Sequence, residues 1–283
     1  MSGEVKKDTK EPFLLKFNLH DSTIIDDEDF GIASTRNESF KDFFANINKK
    51  IKFLPIGVDE KFPNLKEFRV SRCSVQKISS ANFKNLKKLE KIYLFSNKIT
   101  SIEAGSFDDL TSLKVLSLGF NQISSLPENI FDHLKELKVI SLIKNQLKSL
   151  PAQLFKNNRK LLEIILSDNQ IEEIPSNFFA GLTEVEELWL QDNKISNLPT
   201  NLFKDLTKLR EIILERNSLK VLSKENFQFN KKLEHIYLSE NQLEKIDAEL
   251  FDGMENLKYV DLSGNKCIDK QFGDRYSTAK LNL

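Results

Sequence analysis

Leu113–Leu134 reads LKVLSLGFNQISSLPENIFDHL, and its neighbours on both sides repeat it. Apolar residues fall at Leu113, Leu116, Leu118, Ile123, Leu126, Phe131 and Leu134. Around Leu116 and Leu118 the pattern alternates with period two, as a half-buried strand does. After Asn121 the alternation stops and the chain must turn away from the sheet. Pro127, with counterparts Pro151, Pro175 and Pro199, suits an extended return path rather than a helix interior.

The period is 24 residues, kept by Phe83, Phe107, Phe131, Phe155, Phe179, Phe203, Phe227 and Phe251. Asparagine keeps it at Asn97, Asn121, Asn145, Asn169, Asn193, Asn217, Asn241 and Asn265. A fixed period of this length signals stacked units that share one core. Each asparagine is expected to point inward where a strand ends and to satisfy backbone groups along the stack. The phenylalanines are expected to form a second spine, wide enough to bend the stack into an arc.

The pattern LxxLxLxxNxIxxLPxxxFxxL resembles the typical 24-residue leucine-rich repeat. The closing stretch LKYVDLSGNKCIDKQF resembles the end of small soluble insect proteins of that type. The expected fold is α/β: a right-handed solenoid, or horseshoe, with a parallel β-sheet on its concave face and a mostly irregular convex side. The resemblance implies ligand binding through the concave sheet in an extracellular or receptor-type setting. The expected organisation is a disordered 1–10, an N-terminal cap at 11–50, the array at 51–265, and a C-terminal cap at 266–283. The array comprises a half-repeat, eight full repeats and a terminal partial one. The opening MSGEVKKDTKEPF has no apolar core, so no secretory signal is visible.

Composition narrows the function. The 42 basic and 42 acidic side chains balance, which argues against a general nucleic-acid binder. No apolar run is long enough to span a bilayer. Cys73 and Cys267 lie near opposite ends, too far apart for a disulfide across stacked units, and read as buried thiols. The composition leaves the redox compartment open. No cofactor or metal is expected, and the array is expected to be a monomer. Asn37-Glu38-Ser39 is a lone glycosylation sequon.

The second, third, fifth, seventh and eighth residues of each unit are expected to face outward. The fifth position places Ile165, Trp189, Ile213 and Tyr237 in one solvent-facing column. Tyr93, Phe95, Phe120 and Ile143 form a second group. Such contiguous apolar and aromatic rows mark interaction sites, and a protein partner, glycosylated or not, is expected to contact them. Over the first four units, seven outward basic residues face two acidic ones. Over the next four, Arg210 and Arg216 face nine carboxylates, among them Glu163, Glu187 and Glu211. A basic partner surface near Trp189 follows. His235, beside Tyr237 and Glu211 by register, is placed with the partner-contacting residues; a hydrolase using it is a weaker alternative, as is an intracellular adaptor.

Overall fold

The computed structural model describes residues 41–46 and 48–266. The expectations for 1–10, for most of the N-terminal cap and its sequon, for Cys267 and for the C-terminal cap lie outside them.

Among the described residues, ten strands form one parallel sheet, each strand between β1 and β14 pairing with the one before and the one after it in the stack. They are β1 (Asp42–Asn46), β2 (Glu67–Ser71), β4 (Lys91–Tyr93), β6 (Val115–Ser117) and β7 (Val139–Ser141). The stack continues with β8 (Glu163–Ile165), β9 (Glu187–Trp189), β10 (Glu211–Ile213), β12 (His235–Tyr237) and β14 (Tyr259–Asp261). Two minor pairs lie outside this sheet: β3 (Lys77–Ile78) with β5 (Ser101–Ile102), and β11 (Val221–Leu222) with β13 (Lys245–Ile246). A single-turn helix, α1, spans Val58–Lys61. From β2 to β14 the register is the sequence period: Glu163 pairs Glu187, and Ile165 pairs Trp189. The first strand, β1, lies inside the segment expected to cap the array, and it extends the sheet by pairing with β2.

The asparagine ladder is present. Asn169 Nδ2 donates to the carbonyls of Leu142 and Leu166, both at 3.0 Å, and of Ser167 at 3.1 Å. Its Oδ1 accepts from the Leu147 N–H at 3.1 Å. Each unit thus caps the open strand end of the one before it. The turn forces the residue before the asparagine into the left-handed region: Ser96, Phe120, Lys144, Asp168, Asp192, Arg216 and Glu240 all have positive φ, as does Arg72 before Cys73 at the equivalent position. The glycine that eases this conformation occurs once in the series, at Gly264.

The phenylalanine spine is also present. Phe107, Phe131 and Phe155 stack at centroid spacings of 6.2 and 6.0 Å, and Phe203 stacks on Phe227 at 5.7 Å. Phe178 joins the row between Phe155 and Phe179. Phe68 and Phe43, stacked at 4.8 Å, extend the aromatic packing towards β1. Two units carry a second polar device. Asn158 and Asn230 stand where other units have leucine, and both are buried. Each Nδ2 donates to two carbonyls of the preceding unit: Asn158 to Phe131 and Leu134, Asn230 to Phe203 and Leu206. The period places both in the Leu134 row, but the carbonyls that make an amide acceptable there come from the preceding unit.

Cys73 is a buried free thiol whose Sγ donates to the Ser71 carbonyl at 3.2 Å. Burial raises its pKa and keeps it protonated.

Candidate functional site

Within the sheet, alternate residues face the core and the concave side. Ile164, Leu188 and Ile212 are fully buried in the core. Ile165, Trp189, Ile213 and Tyr237 do form a single column, fixed by strand pairing.

That column is not uniformly open to solvent. Ile165 is 1% exposed and Trp189 5% exposed, whereas Ile213 and Tyr237 are half-buried. Tyr93, also expected at the surface, is 2% exposed. The expectation of solvent-facing residues is therefore corrected for Tyr93, Ile165 and Trp189, and equally for the carboxylates Glu163 and Glu211, which are buried as well. Strands in a sheet lie about 4.8 Å apart, so bulky side chains at one position of successive units crowd against one another. Alternation identifies the face but not the crowding on it.

The second group divides similarly. Tyr93 packs with Val115 and Val139, and Phe95 lies against them. Gly119 makes room for Ile143: a Cβ there would stand 2.5 Å from Ile143 Cγ2. Phe120 remains exposed, with the Lys144 ammonium 5.3 Å from its ring centroid.

At the far end the open surface is aromatic. Tyr237 and Tyr259 lie 5.2 Å apart between centroids, and the His235 ring is 6.5 Å from Tyr237. Tyr259 is half-buried and was missed from sequence, although it follows Glu211 and His235 at the third position. Burial and neighbouring acids push the Tyr237 hydroxyl up to about 12, so it stays a neutral donor. His235 Nδ1 lies 3.8 Å from Glu211 Oε2.

Many of the outward charges pair along the stack. Glu90 bridges Lys66 and Lys114, both at 2.6 Å, and its carboxyl is held down at about 2 by those hydrogen bonds. Arg216 clasps Asp192 at 2.6 and 2.7 Å, and Arg210 pairs with Glu234 at 2.7 Å.

Glu163 behaves differently. Its Oε1 is buried without a hydrogen-bond partner. Burial, then the charges of Glu187 and Glu211, raise its pKa from 4.5 to about 7. The folded state therefore holds this proton more tightly than the unfolded chain. The stability it contributes is complete below about pH 4.5 and is lost as pH rises through 7. Glu163→Gln should raise the melting temperature at pH 8 and leave it unchanged at pH 4.5. An equal shift at both pH values would contradict this linkage. Among the described residues no group of three or more His, Cys, Asp or Glu side chains is placed to hold a metal ion.

Comparison with known proteins agrees with this geometry. The family model described as Leucine rich repeat matches residues 63–123, 111–171, 159–219 and 207–266. No curated protein matches the chain. A solved structure of the Toll–Spatzle complex from Drosophila, in its glycosylated form, superposes with a TM-score of 0.69 at 25% identity. It covers 84% of this chain and 35% of that one. A second Toll–Spatzle structure gives 0.68 at 24% identity, covering 85% and 36%. The TLR13–ssRNA13 complex gives 0.62 at 24%, covering 81% and 37%, and shows the shared fold. The chain thus spans little more than a third of the length of these structures. Its uninterrupted 24-residue register, its asparagine ladder and the four matched segments establish that the chain belongs to the leucine-rich repeat family.

Proposed function

We propose that the chain is a non-enzymatic recognition module that binds a protein partner, glycosylated or not, on its concave sheet. The observation that carries this reading is the half-exposed cluster of His235, Tyr237 and Tyr259 on that sheet, next to Ile213. Tyrosines with an apolar body and a free polar tip are frequent interface anchors. A sheet already locked by its ladder loses little conformational freedom on binding. The similarity to Toll in its complex with Spatzle supports a protein-binding role for this fold, and the resemblance of the closing stretch to small soluble insect proteins favours an extracellular setting. The acidic outward surface of the C-terminal half favours a basic partner, whose association rate should fall as salt is added. His235 has Glu211 beside it but sits on an open sheet, which suits contact with a partner better than catalysis.

Affinity capture followed by mass spectrometry tests the reading. Tyr237→Ala should lose, by about tenfold or more, a protein retained by the native chain. Val221→Ala, on β11 outside the main sheet, should retain it. Equal retention by both variants would refute binding at this face.

A further inference from the structure

The concave face already holds one guanidinium, and its arrangement recurs without the cation. At the N-terminal end, Arg69 lies over the Tyr93 ring, 4.2 Å from the centroid. Its Nη2 donates to Glu67 Oε1 at 3.1 Å, and Lys91 Nζ lies 3.5 Å from Glu67 Oε2. The Phe44 ring on β1 lies 5.7 Å from the guanidinium on the other side, so a carboxylate on its own strand and a ring on each adjacent strand cradle this arginine.

Four units further on, the same register positions hold Glu163 for Glu67 and Trp189 for Tyr93. Ile165 stands in place of Arg69, and Glu187 in place of Lys91. The acceptor and the ring on the following strand are kept, Ser141 stands in place of Phe44, and both cations are gone. Ile165 is shorter than arginine and carries no donor. Without a cation beside it, Glu163 Oε1 is buried with no hydrogen-bond partner; the indole donor Trp189 Nε1 is also buried and unpartnered, though a guanidinium, itself only a donor, would not satisfy it. Glu163 and Trp189 are 6% and 5% exposed. Leaving such atoms unsatisfied is unfavourable, and native structures do so rarely.

We infer that Glu163, Glu187 and Trp189 form a subsite for an arginine side chain presented by a peptide segment of the partner. This rests on the proposed role of the concave face and names its chemistry. A guanidinium can donate to the Glu163 carboxylate and lie over the indole, as Arg69 donates to Glu67 and lies over Tyr93. Lysine, a compact ammonium, reproduces only the charge. The indole N–H needs an acceptor, which a backbone carbonyl of the same segment supplies. Glu187 on β9 adds negative charge at the rim, with Glu211 and His235 beyond it on β10 and β12; Val139 on β7 brings no charge from the other side. The carboxylate must ionise to bind, so affinity should rise between pH 6 and pH 8.

Trp189 is the only tryptophan, so its emission reports directly on the site. The full chain is titrated with a short blocked peptide containing one arginine, and with its citrulline counterpart, at pH 8. The arginine peptide should give a saturable change, and the neutral isostere should not. Glu163→Gln, of nearly the same shape, should weaken the response about tenfold or more, while Glu67→Gln leaves it intact. Ile165→Arg supplies the guanidinium in cis, so it should abolish peptide binding and raise the melting temperature. Circular dichroism verifies that each variant is folded. Equal response to citrulline, no saturable response, or unaltered binding by Glu163→Gln overturns the subsite. If the subsite fails while Tyr237→Ala still abolishes partner capture, the concave-face reading stands; if both fail, both are wrong.

Discussion

Phe131→Ala is expected to destabilise the protein by about 3–5 kcal/mol in a urea melt. Phe131 has no exposed surface and stacks on Phe107 and Phe155. Truncation removes contacts on both sides and opens a cavity that two neighbouring units border. In a stacked array each unit is stabilised mainly by its neighbours, so a central gap weakens two interfaces at once. Phe251, half-buried at the end of the row, provides the internal comparison. Phe251→Ala should cost less than half as much. Equal losses at the two positions would show that the spine does not act through its neighbours.

The second large effect is expected at the ladder. Asn169→Ala should cost about 1–3 kcal/mol, mostly by orphaning a backbone donor. Leu142 O keeps Asn145, and Leu166 O keeps Asn193, as alternative partners. The Leu147 N–H has no such substitute: it donates to Asn169 Oδ1. Asn169→Asp would keep that bond but place an anion against three carbonyls. It should therefore destabilise at least as much as alanine at neutral pH and recover part of the loss as the acid is protonated. An alanine variant within about 0.5 kcal/mol of the native chain would show that the ladder is not a stabilising element.

These two predictions also show where sequence reading is strongest. The rows of Leu, Asn and Phe are dictated by the stack itself, since every unit presents the same core position to its neighbours. Departures within a row were harder to interpret. Asn158 and Asn230 interrupt a leucine row with a polar side chain, and each is nonetheless buried and bonded to the preceding unit. The positive φ before each ladder asparagine was equally hidden, because charged and aromatic residues occupy a conformation that composition would reserve for glycine.

The candidate site was legible as a column but not as an environment. The period places Ile165, Trp189, Ile213 and Tyr237 side by side, and strand pairing bears this out. Which of them meets solvent depends on the bulk of the neighbours on either side, a quantity that no single repeat contains. The same holds for charge. A count of signs separates the two halves of the array, while the geometry shows Glu90, Asp192 and Glu234 engaged with cations. Glu163 Oε1, by contrast, is left buried and unbonded.

The amino-acid sequence by itself determined the repeat, its period, the two structural spines and the identity of the face that looks away from the core. Those features follow from a local rule applied again every 24 residues. Tertiary structure alone decided the burial of Trp189, the joining of Tyr237 to Tyr259, and the recurrence of the Arg69 cradle around Glu163 without its cation. Each of these depends on side chains roughly one unit apart in sequence meeting across adjacent strands, where packing and desolvation are set by the pair and not by either residue.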